Sequence, residues 1–249
     1  MAFSGALAAG VAGAESNGYR TYMLWQMFLK NGSQPQRVHD YLKNGLIPYF
    51  KKAKSGPVLV LEALIAPHMP QIAVVMGYKS LHDLAETHAA AEKDSALMKL
   101  HEEWDRGPEP NAESHSSMVL QATDFSPELI PDKEPRKAPR IFELRTYHSP
   151  SAYQLRALNE RFAGPETKIF HRCGVHPVLY TNTIIGPNVP NLTYLIPFES
   201  LDAREKAWNA FGADPEWIKV RRESIEKSGQ ISSVIQISLY KATPYSPVG

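Results

Sequence analysis

Two stretches of the chain, IAPHMPQIAVVMGYKSL (residues 65–81) and IGPNVPNLTYLIPFESL (residues 185–201), are one pattern written twice. Each opens on isoleucine, sets two prolines three residues apart, runs into a strand-like apolar segment and ends on Ser-Leu. The offset is 120 residues, and the match extends without a gap over residues 65–104 and 185–224. Ala90, Asp94, Lys99 and Glu103 fall on Ala210, Asp214, Lys219 and Glu223, and the same offset carries residues 22–27 onto 142–147. Self-similarity at a fixed long period is the mark of a duplicated structural unit.

Outward from these anchors, both copies read alike. The first strand spans 19–28 or 140–147, rich in aromatic and apolar residues. The first helix covers 35–53 or 151–173; in the first copy Val38, Tyr41, Leu42 and Phe50 recur near helical spacing. Gly56-Pro57 and Gly174 terminate these helices. Strands follow at 58–65 and 72–78, or 178–185 and 192–198, and Ser80 and Ser200 stand as N-caps of a second helix. The last strand is 117–123 or 234–241. The order β-α-β-β-α-β defines a ferredoxin-like unit. Its helices cover one sheet face, so the other needs a cover, and two units in one chain can cover each other. The predicted class is therefore α+β: tandem ferredoxin-like βαββαβ units forming an intrachain α+β barrel. The divisions are a tail or signal remnant (1–18), a first unit (19–126), a linker carrying Pro127, Pro131, Pro135 and Pro139 (127–139), and a second unit (140–249).

The second copy carries a family resemblance. Its opening strand Ile141-Phe142-Glu143-Leu144-Arg145-Thr146-Tyr147 resembles that of NIPSNAP domains, as do Asn191-Leu192-Thr193-Tyr194, Ser200-Leu201, Arg204, Lys206-Ala207-Trp208, Phe211 and Ala213-Asp214-Pro215-Glu216-Trp217. The whole is similar to two-domain bacterial members of that family, with the first copy more divergent. The resemblance implies the dimeric α+β barrel fold and no particular reaction.

Composition narrows the function classes. With 27 basic and 26 acidic side chains the net charge is +1, which argues against a nucleic-acid binder. One cysteine, Cys173, precludes an intrachain disulfide. No apolar run reaches the roughly 20 residues that span a bilayer. Residues 1–14 are apolar and small, ending in an Ala-Gly-Ala site, so export to the periplasm or exterior is expected if they are a truncated signal, and a cytoplasmic location otherwise. Neither dinucleotide nor phosphate loops, nor a nucleophile elbow, occur.

Strand alternation puts Phe142, Leu144 and Thr146 on one face and Glu143, Arg145 and Tyr147 on the other. If the apolar set lies under the helices, the polar triple faces a cavity between the two sheets. There Glu143 could move a proton, Arg145 could clamp an oxyanion, and Tyr147 could donate a hydrogen bond. The competing reading is a structural ion-pair network. Trp25, which matches Arg145 in the first copy, would supply an apolar wall, with Tyr180, Asn182, Tyr194 and Arg204 extending the pocket. Asn191 reads as a turn cap, and Arg204 as a partner of a carboxylate such as Asp214. No metal or cofactor is assigned: His88 with Glu92, and His171 with His176, lack metal-site spacing. His88, in the slot of Trp208, is the position at which haem would be tested. The expected function is binding or transformation of a small organic molecule between the sheets by a homo-oligomer. The alternative is a non-catalytic assembly module using the aromatic helix from Trp208 to Trp217.

Overall fold

A computed structural model of the chain describes residues 18–134, 136 and 138–249. The expected export signal lies outside these residues. Each copy supplies four strands: β1 (Thr21–Phe28), β2 (Val58–Ile65), β3 (Gln71–Tyr78) and β4 (Ser114–Ala122), then β5 (Ile141–His148), β6 (Leu179–Ile185), β7 (Asn191–Phe198) and β8 (Val234–Ala242). All eight close into one barrel in the order β1-β3-β2-β8-β5-β7-β6-β4. Within a copy the pairing is the ferredoxin-like antiparallel one; between copies, β2 pairs with β8 and β4 with β6. The two sheets thus share edges as well as facing each other, which satisfies the backbone groups an open sheet would leave bare.

The chain after each last strand reinforces the closure by crossing to the opposite copy. Ser126 Oγ accepts from the Tyr180 amide at 2.9 Å, and Ser246 Oγ accepts from the Val60 amide at the same distance. These are equivalent contacts at the 120-residue offset. The proline-rich segment is packed as well: Leu129 is buried and its amide donates to the Tyr22 hydroxyl.

The barrel interior is filled. Tyr22, Leu24, Leu59, Leu61 and Val75 from the first copy meet Phe142, Leu179, Leu195 and Tyr240 from the second in one buried cluster. Its few polar groups pair internally, with Gln71 and Gln26 donating to the Tyr240 hydroxyl. This corrects the expected placement of the site. Phe142, Leu144 and Thr146 face the barrel axis, whereas Glu143, Arg145 and Tyr147 lie on the outer face, beneath the helices. Alternation sorts side chains into two sets without saying which set points inward. Here both faces are covered, and the helices offer the donors that a buried carboxylate requires, while the donors of Gln71 and Gln26 in the interior are already engaged by Tyr240.

The first helix of each copy is broken by a π-helical turn: α1 (Gln34–Tyr41), Leu42–Leu46, α2 (Ile47–Lys52), and α5 (Ala152–Arg161), Phe162–Glu166, α6 (Thr167–Arg172). The second helix also divides, into α3 (Leu81–Ala91) and α4 (Ser95–Asp105), and α7 (Leu201–Ala213) and α8 (Pro215–Ser228). Ser80 and Ser200 cap α3 and α7 as expected, accepting from the Asp83 and Ala203 amides at 3.1 Å. Asp94 and Asp214 cap α4 and α8 in turn, which explains why both belong to the repeat. No helix among the described residues is long and apolar enough to cross a membrane.

Candidate functional site

The polar triple is assembled on β5 and closed from above by α7. Glu143 is fully buried, and its carboxylate accepts three hydrogen bonds. Arg145 Nη1 donates to Oε1 at 2.6 Å; Arg204 Nε and Trp208 Nε1 donate to Oε2 at 2.6 and 2.8 Å. Arg204 therefore pairs with Glu143, not with Asp214, which is held by Arg172 at 2.7 Å. The sequence distance between Arg204 and Glu143 conceals a contact that only the seating of α7 on β5 creates.

Arg145 is 9% exposed, and its guanidinium lies over the Trp208 ring, 4.3 Å from the centroid. Nη2 donates to the Tyr147 hydroxyl at 3.0 Å, while Nε is buried without a partner. Burial opposes its charge, but Tyr194, Tyr147 and Glu143 together outweigh that and hold the guanidinium protonated more firmly than usual. Beside it stands a second buried pair that the sequence did not single out. Arg161 Nε donates to Glu166 Oε2 at 2.6 Å, Nη1 reaches Ser224, and the guanidinium covers Trp217. Burial pushes the Glu166 carboxyl up against the pull of Arg161. The i, i+5 spacing of these two becomes a contact only because the π-helical turn intervenes, so helical periodicity gave no signal for it.

These groups border a cavity of about 280 Å³ between the outer face of β5 and β8 and the helices α7 and α8. Its described lining includes Arg145, Arg161 and Arg221, the rings of Tyr147, Trp208 and Trp217, and no carboxylate. Tyr194 and Tyr180 are in the same half but belong to the buried core beneath α5 and α6. Neither hydroxyl makes a hydrogen bond of good geometry, and burial raises both phenols well above their ordinary range. Asn182 accepts from Asn159 Nδ2 at 3.2 Å, so it braces α5 on β6. Asn191 closes its own turn as expected, donating to the Pro187 and Asn188 carbonyls. Of the expected residues, Arg145 and Tyr147 line this cavity, with Glu143 and Arg204 directly behind them.

Trp25 is not in this site. It lies on β1 in the first copy, beneath α3 and α4, with its indole donating to His115 at 3.1 Å. The expectation that it would face Arg145 across a shared chamber fails for the same reason as before: each copy's outer face looks toward its own helices. Trp25 instead borders a separate cavity of about 340 Å³ with Met23, Phe50, Met76 and His88. Cys173 is half-buried and burial raises its thiol, which disfavours a reactive thiolate. The His171 and His176 rings lie tilted to each other with centroids 5.2 Å apart, and burial lowers His171. Among the described residues no three His, Cys, Asp or Glu side chains converge as a metal site.

Solved structures share this barrel across nearly the whole chain. A monooxygenase-like protein from Lactobacillus acidophilus NCFM aligns with 90% of this chain and 94% of its own at 8% identity and a TM-score of 0.57. One from Fusobacterium nucleatum aligns with 91% and 94% at 11% identity, also with a TM-score of 0.57. At such identities the likeness is one of fold, that of dimeric α+β barrels. A NIPSNAP family protein of unknown function from Agrobacterium tumefaciens is 21% identical over 46% of this chain and 97% of its own, with a TM-score of 0.40. No curated protein matches the chain. The NIPSNAP domain profile matches residues 142–247, so the copy that holds Glu143, Arg145, Arg204 and Trp208 is a NIPSNAP domain.

Proposed function

We propose that the second half binds a small organic anion, such as an aromatic carboxylate, in the cavity bordered by Arg145 and Tyr147. The observation that carries this is the lining: three arginines and no carboxylate among the described residues, with aromatic walls. Two buried carboxylates, Glu143 and Glu166, stand behind Arg145, Arg161 and Arg204, so the cluster keeps excess positive charge even before Arg221 is counted. Arg145 uses two of the five N–H donors a guanidinium carries. Its remaining donors and the fixed plane of its fork suit a carboxylate. Tyr147 accepts from Arg145 and keeps its phenolic proton to donate. Trp208 and Trp217 present apolar surface to a ring, matching the common build of ligand pockets, apolar with a few placed polar groups. In this reading Glu143 is a positioning residue that holds Arg145, since three donors already occupy its oxygens.

Calorimetric titration with benzoate and 2-naphthoate tests the reading. Saturable binding to the wild type should weaken about tenfold or more in Arg145→Leu, whose fold is checked by circular dichroism. Unchanged affinity in a folded Arg145→Leu protein would remove the site.

The aromatic helix is the weaker basis for assembly, because Phe211 is buried and Trp217 packs against it at 4.3 Å. Self-association has a different basis. Ile235 and Ile237 on the outer face of β8, and Ile65 beside them on β2, are 48%, 42% and 64% exposed, an apolar strip that a second copy would cover. Light scattering of the wild type and Ile237→Lys decides it: a monomeric wild type excludes the dimer.

A further inference from the structure

We propose that the cavity of the first half is a second ligand site, separate from the anion site, which takes a neutral aromatic molecule. The offset of 120 residues shows how it arises. Trp208 and Phe211 fill the space beneath α7 in the second half; their counterparts beneath α3 are His88 and Ala91. The same offset replaces Glu143, Arg145, Arg161 and Glu166 by Met23, Trp25, Tyr41 and Leu46. The first copy therefore lacks the charge at all four of these positions and the bulk of Trp208 and Phe211, and its space beneath α3 is a cavity of about 340 Å³. Interiors pack close to crystal density, so a cavity of this size beneath two helices is a departure that needs a reason. Consistently, α3 has no buried residue, whereas α7 buries Ala207 and Phe211.

The lining selects the class of ligand. Met23, Trp25, Tyr41, Phe50 and Met76 give aromatic faces and polarisable thioethers. Among the described lining residues there is no lysine or arginine, and the one carboxylate, Glu92, is exposed at the mouth. An anion would find no counter-charge. The protein's own hydroxyls are already engaged: Tyr49 donates to the Thr87 carbonyl at 2.9 Å, and Tyr41 lies 3.2 Å from His101 Nδ1. His88 Nε2 meets the Tyr78 hydroxyl at 3.2 Å, while Nδ1 has no partner among the described residues, leaving one polar handle for a ring hydroxyl. Burial lowers the His88 pKa, so the imidazole is uncharged at neutral pH and adds no charge to the site.

The test compares three probes that share a ring and differ in charge: 1-naphthol, 1-naphthoate and 1-naphthylmethylammonium. They are titrated into the full chain and followed by calorimetry and tryptophan fluorescence. 1-Naphthol should bind saturably, roughly tenfold or more tighter to this site than either charged analogue, and Arg145→Leu should leave its affinity unchanged. Ala91→Phe, which restores the second half's residue, should weaken 1-naphthol about tenfold or more without affecting 2-naphthoate binding at the other site. If Ala91→Phe does not fold by circular dichroism, Leu97→Trp, again the second half's residue, fills the cavity from α4 instead. The proposal is overturned if 1-naphthol fails to saturate, if a charged analogue displaces it more strongly, or if a folded filling variant binds it within about twofold of the wild type. Loss of 1-naphthol binding in Arg145→Leu alone would also overturn it, assigning the probe to the second half. The failure of 2-naphthoate to bind would count against the anion site only.

Discussion

The ion pair beneath α7 can be dissected with a double-mutant cycle at Glu143 and Arg145. The first copy carries Met23 and Trp25 at these positions, so an apolar pair is compatible with this strand face. Glu143→Met alone removes the carboxylate that receives Arg145, Arg204 and Trp208, and leaves the buried Arg145 guanidinium with Tyr147 as its one side-chain hydrogen-bond partner. Arg204 is 25% exposed at its side chain and can turn to water; Arg145, at 11%, cannot. Stranding one member of a buried pair costs about 3–5 kcal/mol. For a chain of this length that lowers Tm by roughly 6–20 °C. Arg145→Met should cost less, about 1–3 kcal/mol, because Glu143 retains Arg204 and Trp208. With both changed, no unpaired charge remains next to β5 except the partly exposed Arg204. The double variant should then fall short of the summed single losses by about 2 kcal/mol. Urea unfolding monitored by far-ultraviolet circular dichroism measures all four corners. A coupling below about 0.5 kcal/mol, or a Glu143→Met protein within about 1 kcal/mol of the wild type, would refute the claim that this pair is buried and interdependent.

Two other outcomes follow from the geometry. The Arg172 guanidinium, then the Trp217 amide, hold the Asp214 carboxyl below the usual carboxylate range. A depressed folded-state value gives stability that is present above the unfolded value, about 4, and lost as pH falls through the folded one; Asp214→Asn should thus be less stable than wild type at neutral pH, with the gap in Tm closing below about pH 4. A gap independent of pH would remove that ion pair from the account. A Cβ added at Gly56 would lie 2.1 Å from the Gly77 carbonyl oxygen, a backbone atom that cannot swing away. Gly56→Ala should therefore lose about 1–3 kcal/mol by strain, and a Tm within 1–2 °C of wild type would show that β2 and β3 can separate there.

Sequence alone determined the duplication, the βαββαβ order of each copy, the Ser80 and Ser200 caps, and the assembly of two sheets into one barrel. These features are local or periodic: turn prolines, strand alternation and a cap three residues ahead of its amide leave their mark within a short window. Tertiary structure decided which side of each strand became the barrel interior. A period of two is symmetric about the strand, so Phe142 and Glu143 could exchange faces without altering the pattern, until the donors Arg204 and Trp208 settled over the carboxylate. It also separated Trp25 from Arg145, because each copy's outer face meets its own helices. Arg161 and Glu166 came together through a π-helical turn that no spacing rule anticipates, and the two unlike cavities followed from bulk gained or lost at Trp208, Phe211, His88 and Ala91. Contacts between residues 60 positions apart depend on how helices seat on a closed sheet, and that is a property of the packed whole.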